Sequence, residues 1–447
     1  MSIPSEPIGT KISQEIDYKA ISHSHPSYRL SKLLPLSGTQ TVTVSSAGST
    51  QETLIEIPTK CFNLGESILY WRRTIAAQAA GTFSRSFEDT YGEIQQMQLY
   101  TRNGQYLMDL NNFQNYLQLS RKLQTPFESF QSYDQVDGLY KIDLAAAAGQ
   151  RFDNTANNVN YLEPTYLAVS AVAATLQRHC MLKLSYLNNT IASMNKDLVF
   201  PEVLVLRIVW NGNKVGYKGT SPIDPTAGVV ALTGNITLEN IALFLAVEQN
   251  QQIIDSLREK INSGTFRILV PYVYSYKSNI AAAGSQSISI RLNRGHGLYC
   301  KKIIHGVYNN TEVDSNLAYD HNNVNQAKIK SYYSLLDNSR LQEIDVRSAL
   351  DSTESAEDYL YLRKTLDKTA LSTENMFSFN WFHLENFAGE NPKDEKENSN
   401  LVSGISLASE RKWDIYFTMT GTPTLNHYTY IHTMKELTVS HTLITMV

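Results

Sequence analysis

Cysteine is scarce in this chain. Cys61, Cys180 and Cys300 are the only three in 447 residues, far apart and odd in number. That excludes a disulfide framework, and no Cys-x-x-Cys pair is present to begin a zinc site. The three are expected to be reduced structural thiols. Charge is scarce too. Asp, Glu, Lys and Arg make up 18% of the chain, below the usual ~25%, and the net charge is −4. Nucleic-acid binding needs basic stripes, so no direct nucleic-acid contact is expected. Long apolar runs are also missing. The longest, residues 166–176, falls well short of the ~20 residues that cross a bilayer as a helix. The opening stretch MSIPSEPIGTKISQEIDYK has no apolar core, so no secretory signal is expected. The chain is read as soluble and made in a reducing cytosol, with the sequons at Asn188, Asn235 and Asn309 unmodified.

Catalytic signatures are equally lacking. There is no Gly-x-Ser-x-Gly elbow and no His-Glu-x-x-His. GNKVGYKGT, residues 212–220, resembles a phosphate loop at first sight, but its spacing is wrong and it follows a hairpin turn. His296, His305, His427, His432 and His441 lie in or beside strand-like runs. His427, His432 and His441 are spaced by odd numbers, which puts neighbours on opposite faces of one strand, so they do not converge on a metal from a single strand. They read as exposed or hydrogen-bonded strand residues, and replacing His296, His305 or His432 by Ala is expected to be nearly silent. YDHNNVN, residues 319–325, reads as a polar loop. The expectation is no catalytic residue, no cofactor, no metal and no enzyme.

What is present is tyrosine, 26 copies, in a chain whose polar balance is otherwise carried by Ser, Thr, Asn and Gln. A neutral, Tyr-rich surface suits protein–protein contact. Strand signals fill most of the chain. TVTV (41–44), TLIEI (53–57), SILYWRRTI (67–75), MLKLSYL (181–187) and VLVLRIVWNG (203–212) come first. Within the last, Leu204, Leu206, Ile208 and Trp210 share a face. IQQMQLYTRNGQYLMDL reads as a hairpin, with Asn103-Gly104 suited to a type I′ turn. Residues 236–249 are β-like or mixed. Then NQQIIDSLREKINSG is helical, with Asn250 as cap, Ile253, Ile254, Leu257 and Ile261 as stripe, and Gly264 at the C′ position.

Strands resume with residues 266–276, 286–292 and 298–308. A helix is predicted over residues 326–338 and a charged helical or irregular stretch around 357–366. A strand-like run at 376–387, a solvated loop at 391–400 and a hydrophobic ribbon from Arg411 to Val447 complete the chain. In the ribbon Trp413, Ile415, Phe417 and Met419 alternate with polar partners. The pattern from His427 onward is less clean, and Lys435-Glu436 suggests a bulge or bend. Such a terminal ribbon is tolerable only if paired on both sides, which places it inside a sheet.

The predicted organisation is all-β: a polar arm over 1–30, a first sandwich over 31–249, a linker helix over 250–264, and a second sandwich over 265–447, with a few short helices in the insertions and the linker. Some eight strands per half, with long insertions, fit a jelly roll better than a meander.

Taken together, IQQMQLYTRNGQYLMDLNNFQNYLQL, LKLSYLNNTIASMNKDLVFPEVLVLRIVW, RKWDIYFTMTG and YIHTMKELTVSHTLITMV resemble segments of double jelly-roll major capsid proteins of tailless double-stranded DNA viruses, of the virophage and polinton-like virus type. The resemblance spans most of residues 30–447 and lies in order and texture. The N-terminal motif of the large algal and giant-virus capsid proteins is not found. The resemblance implies homotrimeric, pseudo-hexagonal capsomers tiling an icosahedral virion shell. The implied partners are other copies of the chain, penton and minor capsid proteins, and an inner membrane near the arm. Two other classes fit the same texture. One is a different structural or adhesive β-sandwich protein, such as a minor capsid or spike protein. The other is a carbohydrate-active enzyme, which would need a carboxylate pair in a concave site.

Overall fold

The computed structural model describes residues 27–45, 50–75, 83–86, 93–124, 176–211, 216–219, 230–231, 235–263, 266–280, 284–309, 329–347, 381–387, 404–419, 425–440 and 443–447. The elements run in two successive groups. The first holds β1 (Tyr28–Leu33), β2 (Val42–Ser45), β3 (Thr50–Ile57), β4 (Cys61–Ile75), β5 (Phe83–Ser86), β6 (Ile94–Thr101), β7 (Tyr106–Asn111), helix α1 (Phe113–Gln124), β8 (Leu176–Lys183), β9 (Asp197–Val199), β10 (Leu204–Asn211), β11 (Gly216–Gly219), β12 (Val230–Ala231) and β13 (Asn235–Glu248). Helix α2 (Gln251–Asn262) follows. The second group holds β14 (Phe266–Ile280), β15 (Gly284–Leu292), β16 (Tyr299–Asn309), β17 (Ile329–Leu336), β18 (Ser339–Arg340), β19 (Val346–Arg347), β20 (Trp381–Asn386), β21 (Ile405–Ser406), β22 (Arg411–Met419), β23 (Leu425–Val439) and β24 (Ile444–Met446).

In the first group one sheet has the order β1-β13-β4-β8, with β2 continuing the β1 edge along β13; the other runs β3-β10-β6-β7. In the second group the orders are β14-β23-β16-β20 and β15-β22-β17-β18. Counting the eight main strands of each group along the chain, both groups read 1-8-3-6 in one sheet and 2-7-4-5 in the other. The first strand lies beside the last, and the chain changes sheet at every step except the hairpin from 4 to 5. The two sheets of each group face each other. Trp71 of β4 meets Trp210 of β10 edge to face at 5.5 Å in the first. Trp413 of β22 meets His305 of β16 at 5.2 Å in the second.

Period-two alternation explains the one-faced strands. In β10, Leu204, Leu206, Ile208 and Trp210 are buried, while Arg207, Val209 and Asn211 are partly exposed. In β22, Trp413, Ile415, Phe417 and Met419 are all buried. The strand β23 is buried along almost its whole length on both faces, which blurs its alternation. It pairs with β14 without interruption, from Phe266↔Val439 to Ile280↔Leu425. The bulge expected at Lys435-Glu436 is absent from that pairing; the irregularity falls in the other partner, between Cys300 and Lys302 of β16. Leu437, Val439 and Ile444 are buried as expected of the ribbon, whereas Leu443 is 50% exposed.

Other expectations are corrected. The helix predicted over 326–338 is a strand: Ile329–Leu336 is β17, paired with β22 at Tyr332↔Phe417. Tyr332 and Ser334 are buried there, and packing on a sheet overrides the helix preference of Lys, Gln and Leu. The hairpin after β6 is not a two-residue turn. Gly104 alone takes positive φ (86°), and its N–H donates to Thr101 O at 2.8 Å. This is a three-residue loop with glycine in the left-handed position. Residues 28–30, read as the end of the arm, already belong to β1, where Tyr28 pairs with Glu248. The remainder of the arm to 26, and the stretches 319–325, 357–366 and 391–400, lie outside the described residues. Helix α2 forms where expected. Asn250 Oδ1 accepts from Gln252 N at 3.0 Å, and Ile253, Leu257 and Ile261 are buried. Gly264 lies outside the described residues.

Candidate functional site at the junction of the sandwiches

The junction is built where β7 ends. Asn112 takes a left-handed φ of 51°, which asparagine tolerates, and turns the chain into α1. Phe113, Gln114, Asn115, Tyr116, Leu117, Leu119 and Ser120 are buried, so the helix is enclosed rather than lying on a surface. Tyr116 is its anchor. The hydroxyl donates to Asn188 O. The ring meets Tyr430 of β23 edge to face at 5.3 Å and stacks on His432 at 6.3 Å. Tyr430 Oη in turn donates to Asn112 O at 3.1 Å. A helix of the first sandwich is thereby clamped to the central strand of the second. Lys302 pairs with His432 in register, and Lys301 fills the irregularity beside it; both lysines are buried. Burial, then the charges of Lys302 and Lys301, holds the His432 imidazole well below its ordinary value, so it is neutral.

Beside the junction lies an open cleft of about 730 Å³. Gln51, Gln95, Gln96 and Asn111 supply amides, and Lys277 of β14 closes one side. Among its described lining residues the single carboxylate is Glu52, which is tied to Arg207 at 2.8 Å. The described lining therefore lacks the paired carboxylates that glycoside hydrolysis requires.

The histidines singled out from sequence separate into two kinds. His296 closes the short 3₁₀ turn Arg294–His296, and its Nε2 lies 2.8 Å from Tyr276 Oη. His305 and His427 are not exposed strand residues. They sit in the core of the second sandwich with His305 Nδ1 3.0 Å from His427 Nε2. His383, which no sequence pattern singled out, pairs with His305 across β16 and β20 and completes the cluster. The register of three adjacent strands brings them together, and no single-strand spacing reveals it. His441 lies outside the described residues. Within GNKVGYKGT, Gly216–Gly219 is strand β11, paired with β5 and β12, rather than a phosphate loop. Cys61, Cys180 and Cys300 are each buried and outside any disulfide, and burial pushes the Cys61 and Cys300 thiols up to about 12. Among the described residues no group of three or more His, Cys, Asp or Glu side chains is placed to hold a metal ion.

No family model matches the sequence, and no curated protein matches it. Solved structures do. The chain is similar to the PBCV-1 virus capsid, at 10% identity, with 96% of this chain and 99% of that chain covered and a TM-score of 0.54. It is also similar to a chain of the Sputnik virophage, at 11% identity, with 100% and 94% covered and a TM-score of 0.50. The likeness runs from end to end and includes both sandwiches. The chain is a double jelly roll. In these terms α1 belongs to the first roll, β23 is the eighth strand of the second, and the Tyr116–Tyr430–His432 contact sets one roll against the other.

Proposed function

We propose that the chain is a viral major capsid protein that resides in the virion and assembles as a homotrimer. The observation that carries this reading is the repeated 1-8-3-6 and 2-7-4-5 wrapping within one chain, combined with end-to-end likeness to virus capsid chains. Two similar rolls per chain make three chains into six, a pseudo-hexagonal block that tiles an icosahedral shell. In this reading the rolls occupy residues 28–249 and 265–447 and the helix at 250–264 joins them. The protein binds other copies of itself, penton and minor capsid proteins, and an inner membrane through the arm, and makes no direct nucleic-acid contact. It has no catalytic, cofactor or metal site. The single, ion-paired carboxylate of the cleft favours this role over a carbohydrate-active enzyme.

Light scattering on the purified protein at neutral pH tests the proposal. The expected result is three times the monomer mass at micromolar concentration, with particles of hexagonal outline in negative stain. A monomer at that concentration would overturn it and favour a spike-like or other adhesive sandwich.

A further inference from the structure

The second roll carries histidine in its core; the described core of the first has none. The described histidine of the first roll, His179, is exposed and bonded to Tyr70 Oη at 2.7 Å. In the second roll, His305 (β16), His383 (β20) and His427 (β23) line three adjacent strands and are buried between the sheets. The contact of His305 Nδ1 with His427 Nε2 at 3.0 Å needs one nitrogen to donate and the other to accept. The accepting ring is therefore unprotonated. His427 Nδ1 lies 3.1 Å from Thr429 Oγ1, and His383 Nδ1 lies 3.2 Å from Tyr332 Oη on the facing sheet. Trp413 packs on His305 and Phe417 on His427.

The charged surroundings are sparse. Glu385 on β20 is the nearby carboxylate, 3.8 Å from His383 Nε2. Its Oε1 already accepts from Ser334 Oγ and, at 3.1 Å, from Gln342 Nε2 of the facing side. Asp414 lies on the opposite face of β22 from Trp413 and is paired with Lys412 at 2.9 Å. Lys330 of β17 is exposed, and Lys302 of β16 pairs in register with His432 rather than with the cluster. Among the described residues, a proton added to the cluster therefore meets apolar rings and other imidazoles, with the Glu385 carboxylate beside His383 to offset it.

We propose that this histidine cluster makes the second roll an acid-release element: mild acid separates its two sheets while the first roll stays closed. The direction follows from linkage. Burial holds His305, His383 and His427 below the ordinary histidine value, His427 at about 3. Glu385 partly counteracts this at His383. An unfolded histidine binds its proton near ~6.5. The folded roll thus carries fewer protons than the unfolded one at any pH between those values. Its stability is whole above ~6.5 and falls as pH drops. A histidine held well below ~6.5 shifts the folded-to-open ratio about tenfold per pH unit below that value, so His305 and His427 together shift it about a hundredfold, and His383 adds in the same direction.

Hydrogen exchange of the full-length protein, read by peptide mass at pH 7.5, 6 and 5 and corrected for intrinsic exchange, tests this. Between pH 6.5 and 5, peptides from β16, β20, β22 and β23 are expected to lose protection more than ~100-fold, and those from β4, β10 and β13 less than ~10-fold. Equal loss in both rolls, or no loss, would overturn the proposal. In the double variant His305→Leu, His427→Leu the loss in the second roll is expected to shrink at least ~10-fold, the remainder belonging to the buried His383 and His432. Should that variant fail to fold, the imidazole resonances of the native protein decide. Histidines of the second roll that protonate near pH 6.5 without any opening would overturn it. The outcome is independent of the trimer test, since the cluster lies within one chain.

Discussion

Asp197 and the core histidines are ionisable groups buried to similar effect and opposite sign. Asp197 is 4% exposed, and its Oδ1 has no hydrogen-bond partner among the described residues. Burial raises its carboxyl to about 6; the hydrogen bond with Tyr28 opposes this and the charge of Glu248 adds to it. The folded value lies above the unfolded ~3.9, so the folded state holds the proton more tightly. The penalty is absent below ~4 and complete above about 6. Asp197→Asn is therefore expected to stabilise the protein by about 1–3 kcal/mol at pH 7.5 and by almost nothing at pH 4. Urea midpoints at the two pH values measure this, and an equal gain at both would refute the account. The histidines also revise an expectation of silence. His305→Ala removes a fully buried ring and the partner of His427, at a cost of about 2–4 kcal/mol. His296→Ala loses a turn-closing contact worth about 1 kcal/mol. Denaturant melts that ranked the two equally would contradict the placement of His305. At this scale the sequence was legible where a single strand decides, as with Trp413 and Ile415. It was silent on His383, because strand registers some 80 and 120 residues apart place the cluster.

Elements with one buried face could be read directly, and those with two or none could not. Strand β22 alternates because one face meets the core, and the strand and its inward residues follow from that. Strand β23 is covered on one face by the core and on the other by α1, so the period fades and invites a bulge that its pairing with β14 does not contain. Strand β17 contains residues that favour a helix in isolation and takes the extended form because β22 offers a ladder to complete. The ribbon gives the prediction at this scale. A chain ending at Lys435 loses the last four residues of β23 and all of β24, and with them the buried Leu437, Val439, Ile444 and Met446. Each such side chain is worth about 1.5–3 kcal/mol, so the sum is on the order of a domain's 5–15 kcal/mol margin. The cut also strips Phe266–Leu269 of β14 of their ladder partner. The truncated protein is expected to be insoluble. A soluble yield like that of the full chain would show that the ribbon does not close the second roll.

Across the whole molecule, each roll has its own pair of facing sheets, while the buried apolar residues form one cluster that runs through both. That the chain holds two sandwiches was readable from the order of strand signals. How one roll sits against the other was not, because the contact joins Asn112 and Tyr116 to Tyr430, more than 300 residues further along the chain. Tyr116 is where that arrangement can be tested. Its ring lies between Tyr430 and His432 of the second roll, while its hydroxyl holds Asn188 of the first. Replacing it with Ala forfeits a buried aromatic side chain, a cost of about 3–5 kcal/mol, at a position shared by the two rolls. The strand ladders of either roll do not pass through it. If the junction couples the rolls, Tyr116→Ala is expected to lower the first melting transition by several degrees and to separate it from the second in calorimetry at pH 7.5. Tyr430→Phe removes one hydrogen bond to Asn112 O but keeps the ring contact. It is expected to shift the transition by about 1 kcal/mol without splitting it. A Tyr116→Ala protein that melts in the same single step as the native chain, merely at lower temperature, would place the coupling elsewhere along β7 and β14.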